Sequence, residues 1–147
     1  MAVTISRYNH TPKLFLNKEL TLSTLRVMLL DDNAVFDASD TALSDVLAGD
    51  ATEVSGNGWT AGGETIASVA VTTVDTDGAM IDGNDISVTA SGGSIGPASA
   101  AVIYDDSMTL PADAPLWYID FGGAETAGVG TDFKISFNAN GIARITG

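Results

Sequence analysis

The sequence predicts a mainly β protein, an antiparallel β-sandwich of jelly-roll type or a partly open barrel, and three observations carry that reading. The apolar residues fall in short alternating or β-branched runs, clusters of Gly, Asn, Asp and Ser separate those runs, and no strand–helix–strand alternation occurs of the kind a parallel sheet needs. In order, Leu25-Arg26-Val27-Met28-Leu29-Leu30 reads as a buried strand that stops at Asp31-Asp32-Asn33, whose side chains accept local backbone donors. Residues 65–74 are apolar on both faces and are expected to form a central strand. Asp75-Thr76-Asp77-Gly78 and Asp82-Gly83-Asn84-Asp85 are turns on either side of a short strand, Ala79-Met80-Ile81. Ile86-Ser87-Val88-Thr89-Ala90 alternates cleanly, and Ser91-Gly92-Gly93-Ser94 permits a tight return into residues 98–104, so a hairpin is expected there. Pro111 and Pro115 bracket a loop, residues 116–121 form an aromatic-rich strand, and residues 122–130 form a flexible, glycine-containing connection. Residues 132–138 and 142–145 complete the strands, with Asn140-Gly141 turning between them. One short peripheral helix is expected where Ser39 or Asp40 caps a segment with Leu43, Val46 and Leu47 at helical spacing, closed by Gly49.

A chain of 147 residues, 45% hydrophobic, suits one core. Residues 1–20 have weaker periodicity and hold three of the six bases and the single histidine, so an extended N-terminal arm is expected ahead of one body over residues 21–147. The absence of cysteine excludes thiolate catalysis, zinc–thiolate sites and disulfide scaffolds. The first residues lack the basic flank and apolar run of a signal peptide, and no apolar stretch approaches the ~18 residues of a membrane span. A net charge of −13 repels a phosphate backbone, so neither nucleic acid nor membrane is an expected partner.

Catalytic chemistry finds little support. A Ser-His-Asp system has only His10 to use, and His10 stands in the expected arm, where a hydrogen bond at a contact surface is the simpler role. Asp105, Asp106, Asp120, Glu64 and Glu125 supply carboxylates for a glycosidase pair, but acids at strand ends more commonly form turns. Asp75, Asp77, Asp82, Asn84 and Asp85 crowd oxygen ligands into one hairpin and are the best calcium candidate, although they lack the EF-hand spacing and its closing Glu. The glycines near Asn57 and at 122–123 lack a phosphate-binding context. Trp59, Trp117, Tyr104 and Tyr118 suit a core better than an exposed sugar platform. No catalytic residue, resident metal or cofactor is assigned.

Five segments together resemble a family of small virion proteins of tailed bacteriophages. They are Tyr8-Asn9-His10-Thr11-x-Lys13-Leu14, Leu25-Arg26-Val27-Met28-Leu29-Leu30-Asp31, the stretch from Glu53-Val54-Ser55-Gly56-Asn57-Gly58-Trp59 to Thr60-Ala61-Gly62-Gly63, Ser91-Gly92-Gly93-Ser94-Ile95, and Ile119-Asp120-Phe121-Gly122-Gly123. The likeness spans nearly the whole chain and consists of turns and strands without a catalytic signature. It implies a structural, non-enzymatic role as a capsid decoration or cement subunit, with a tail, fibre-associated or receptor-binding part as the alternative. The implied location is the virion, assembled in the host cytoplasm, and the implied partners are the major capsid protein, other virion proteins and further copies of the chain. The expected docking residues are Arg7, Tyr8, His10, Lys13, Phe15 and Lys18, because bases on an acidic chain suit an acidic shell surface.

Overall fold

A computed structural model describes residues 2–146. In chain order its elements are β1 (Thr4–Arg7), α1 (Thr11–Leu16), a 3-10 turn (Leu22–Thr24), β2 (Leu25–Leu30), α2 (Leu43–Val46), β3 (Glu53–Val54), β4 (Glu64–Thr65), β5 (Ala70–Asp75), β6 (Gly78–Asp82), β7 (Ile86–Thr89), β8 (Ile95–Thr109), β9 (Ala112–Ala127), β10 (Asp132–Ile135) and β11 (Ala143–Ile145). The protein is mainly β, and every strand pairing among the described residues is antiparallel. The main sheet runs β1-β9-β8-β2, with β3 and β4 both on the far side of β2; β10–β7 and β11–β6–β5 form two smaller sheets.

The side-chain period of two sends alternate residues of the main sheet into two separate cores. Leu25, Val27, Leu29, Ile103 and Ile119 enter one, which the smaller sheets close with Ile81, Ile86, Phe133, Ile135 and Ile142. Phe133 packs edge-on against Trp59 at 5.5 Å and lies 6.2 Å from Phe121, so β10 sits over β9 as the second layer of a sandwich. Met28, Leu30, Val102, Tyr104 and Tyr118 face the opposite way, under α2 (Leu43, Val46) and Phe36. Burial on both faces explains why β2 is almost uninterruptedly apolar. Each such side chain contributes about 1.5–3 kcal/mol.

Several expectations change. The described part of the expected arm, residues 2–20, is not extended and free: β1 pairs with β9 from Thr4↔Asp120 to Arg7↔Trp117, and α1 follows, making two helices where one was expected. The hairpin at Ser91-Gly92-Gly93-Ser94 is absent; β7 pairs with β10, whereas β8 pairs with β2 and β9. Their apolar patterns explain the separation. Ile86 and Val88 suit a one-faced sheet, but the continuous run 100–105 is buried throughout and requires the two-sided centre. The true hairpin is β8–β9, turning at Leu110-Pro111.

Pro115 lies inside β9 at a bulge, where one step from Ile103 to Tyr104 on β8 spans two from Trp117 to Pro115 on β9. The expected connection from Gly122 is likewise strand as far as Ala127, and a second bulge absorbs Gly122 at φ +75°. Residues 65–74 break at Ser68, and β5 becomes an exposed edge instead of a central strand. Its residues, Ala-Val-Thr-Thr-Val-Asp, have strand propensity but little large apolar surface to bury.

Candidate functional site

The N-terminal segment is fastened by a feature of β9. The bulge at Pro115 and Leu116 turns two carbonyls away from the β8 ladder, and the segment supplies their donors. His10 Nε2 donates to Pro115 O at 2.5 Å, Thr11 Oγ1 donates to Leu116 O at 2.9 Å, and the Tyr8 amide reaches the same Leu116 oxygen at 3.2 Å. Because a carbonyl only accepts, His10 carries its proton on Nε2. The single histidine is therefore a hydrogen-bonded anchor.

This anchoring divides the six expected docking residues. Tyr8 is fully buried, packed edge-on against Phe36 at 5.1 Å, and its hydroxyl has no partner among the described residues. Burial, reinforced by Asp40, Tyr118 and Asp37, raises that phenol above its ordinary range. Phe15 is half-buried against Trp117 at 5.7 Å, and His10 is half-buried at the bulge. Arg7, Lys13 and Lys18 remain exposed, as does Leu16 at the end of α1. Tyr8 and Phe15 thus hold the segment down while the three cations face outward. The sequence signal for α1 is Pro12 in the first turn, ahead of Leu14.

The bases of the body are placed differently. Arg26 pairs with Asp106 at 3.0 Å, Lys134 lies 4.0 Å from Asp85, and Arg144 pairs with Asp75. Among the described residues, Arg7, Lys13 and Lys18 have no such acid partner. They also occupy an acid-free stretch, since the first carboxylate in the chain is Glu19.

The carboxylates considered for sugar hydrolysis do not converge on a cleft. Asp105 is completely buried and accepts from Thr21 N and Thr24 Oγ1, both at 2.7 Å, and from Ser107 N at 2.9 Å and Ser107 Oγ at 2.7 Å. Burial would raise its pKa, but these hydrogen bonds from Thr21, Thr24 and Ser107 together outweigh burial and hold the carboxyl below its usual range. It ties the 3-10 turn to β8 and has no access to a substrate. Glu64 accepts from Thr60 N at 2.7 Å and Asp120 from Gly122 N at 2.8 Å, so both fasten local backbone. Asp106 is engaged by Arg26, and Glu125 stands exposed at the rim of a groove.

The calcium candidates are also separated. Asp75 and Asp77 lie at the tip of the β5–β6 hairpin, whereas Asp82, Asn84 and Asp85 follow the other end of β6, about 13 Å away for five strand residues. Asp85 accepts from Phe137 N at 2.9 Å. Among the described residues, no group of three or more His, Cys, Asp or Glu side chains is placed to hold a metal ion. Trp59, Trp117, Tyr104 and Tyr118 are all core residues. Tyr104 donates to Gly62 O, and burial together with Asp106 pushes its phenol up to about 12.

One open groove of about 700 Å³ lies where β10 stops short of covering β1. It is lined by Ile119 and Phe121 of β9, Phe133 of β10, and Val3 and Ile5 at β1. Val3 and Ile5 are 64% and 49% exposed, so this end of the sheet shows apolar surface beside the cationic segment. Sequence reasoning placed the cations here but not the sheet edge. The alternation Val3-Thr4-Ile5-Ser6 was the available signal.

Comparison with known proteins finds no matching family model, no matching curated protein and no matching solved structure.

Proposed function

We propose that this chain is a structural protein of a tailed-bacteriophage virion, a decoration or cement subunit that stabilises the head through contacts with the major capsid protein. The observation that supports it is the segregation of charge. Three exposed cations without acid partners among the described residues lie on an anchored segment, while the remainder of the chain holds nineteen acids and only three bases. Exposed cations on such a segment are attracted to an acidic protein surface, and the acidic remainder is repelled from that surface and from packaged nucleic acid. Many weak copies of one contact stabilise a shell by avidity. The resemblance read from the turns and strands points the same way.

The test is binding to heads that lack the subunit, followed by reconstruction of the particle. Wild-type protein should appear in many copies over the shell and raise its resistance to heat. The triple variant Arg7→Glu, Lys13→Glu, Lys18→Glu should fold normally but lose binding. Undiminished binding by that variant would remove the cationic face from the reading. A few copies at one vertex would replace the head assignment with a tail or fibre one.

A further inference from the structure

We propose that Asn140 is a self-modifying site, whose side-chain amide closes on the backbone nitrogen of Gly141, loses ammonia and is converted by water to aspartate or isoaspartate. This goes beyond the shell reading and does not depend on it. Asn-Gly occurs twice in the chain, at Asn57-Gly58 and Asn140-Gly141. Glycine leaves its amide nitrogen open to approach by the preceding side chain, so both pairs are chemically competent and their surroundings decide which one reacts.

Asn57 is held back. It sits at φ +55° in a two-residue turn that Gly56 and the buried Trp59 close with hydrogen bonds of 2.8 and 3.1 Å. Its backbone carbonyl accepts from Ser91 N at 2.8 Å, and its Nδ2 donates to Ser94 O at 2.7 Å. The side chain also packs so closely on Gly93 that no Cβ fits between them. Donation through Nδ2 strengthens the amide C–N bond and ties the leaving nitrogen to the residue before β8.

Asn140 is exposed and is held in the opposite sense. Arg144 Nη1 donates to Asn140 Oδ1 at 3.2 Å, and Arg144 is itself held by Asp75. Oδ1 is the atom on which negative charge develops as Gly141 N attacks Cγ, so the guanidinium stabilises that step as an oxyanion donor does. The remaining restraints are Gly141 N to Asn138 O at 2.8 Å and Asn140 N to Asn138 Oδ1 at 2.9 Å. Both lie within the same exposed turn and open with it. In the reaction the Gly141 amide proton passes to water, the N–Cγ bond forms, the Cγ–Nδ2 bond breaks and ammonia leaves. Water then opens the cyclic imide, giving aspartate by attack at the side-chain carbonyl and isoaspartate by attack at the backbone carbonyl.

The isoaspartate product has a structural consequence. It routes the backbone through the former side chain and lengthens it by a methylene, in the turn that leads into β11. β11 holds β6 through only three pairs, Ala143↔Ile81 to Ile145↔Ala79. The Gly141 backbone packs so closely on Ile81 O that even a Cβ would collide. A lengthened backbone loses that fit, so β11 loosens from β6 as the protein ages.

Full-length protein is incubated at mildly alkaline pH, both native and in concentrated urea, and amide-to-acid conversion at each asparagine is followed by peptide mass. In the folded protein Asn140 should convert at least ~10-fold faster than Asn57. In urea the two rates should converge. Arg144→Ala should slow Asn140 in the folded protein but not in urea, with near-ultraviolet dichroism from the buried Trp59 and Trp117 checking that the variant is folded. Aged protein should exchange the amides of residues 142–145 faster, with β2 unchanged. Asn140→Asp, which adds the charge without the methylene, should keep wild-type protection there. Equal rates in the folded protein, or faster conversion at Asn57, would overturn the proposal. Acceleration by Arg144→Ala would overturn the assistance assigned to Arg144, and unchanged exchange in protein carrying isoaspartate would overturn the loosening of β11.

Discussion

β2 and β5 are both strands of six residues, and they occupy opposite extremes of the molecule. β2 has strand neighbours on both sides and side chains in both cores, with Leu25, Val27, Leu29 and Leu30 wholly buried. β5 has one neighbour and a single partly covered side chain, Val74. Both have side chains compatible with a strand, so the difference lies in what covers them. A strand's contribution to stability comes mainly from the apolar area it removes from water, with its intrinsic preference a smaller influence.

The sharpest test of this contrast is truncation in β2. Leu29→Ala should cost about 2–5 kcal/mol in urea unfolding, since it empties space between the main sheet and the layer above it. A loss as small as that of a surface substitution would mean that the two strands do not differ as described.

The next largest effect is expected where β8 meets the 3-10 turn. Asp105→Ala leaves the Thr21 and Ser107 amides without their carboxylate and should cost about 3 kcal/mol near neutral pH. The sign of its pH dependence follows from the folded-state pKa, which lies below the ordinary value. Asp105 therefore stabilises the fold above the unfolded carboxyl range, around pH 4, and that contribution is lost as pH falls through the depressed folded value. Asp105→Asn should accordingly show its deficit at neutral pH and converge on wild type in acid. A deficit that stayed constant with pH would assign the effect to shape alone. At the small end, Val71→Ala in β5 should shift stability by less than about 0.5 kcal/mol.

The parts of the fold legible from residue order were those whose signal is local. β2 with its Asp31 turn, the alternating β7, and α2 with Leu43 and Val46 on its buried face all carry their pattern within a few residues. Pro115 concealed the long β8–β9 hairpin, because a proline ordinarily ends a ladder and the donors that satisfy its bulge come from His10 and Thr11, more than a hundred residues earlier. The same distance hid the N-terminal segment. Its anchoring residues are buried only because β9 and Phe36 lie against them. For the candidate surface, the cations Arg7, Lys13 and Lys18 were visible as a cluster, but their lack of acid partners is a spatial property. Arg26 and Asp106 are eighty positions apart and still pair.

By itself, the order of residues determined that this chain builds antiparallel strands around an apolar core, where several of its turns fall, and that its first eighteen positions carry base without acid. Alternation, turn chemistry and net charge act over short spans or by simple summation, and need no knowledge of neighbours in space. Tertiary structure alone decided which strands occupy the two-sided centre, which edges stay open, and which charges are neutralised. Those outcomes depend on competition among distant segments for the same buried area and the same backbone hydrogen bonds.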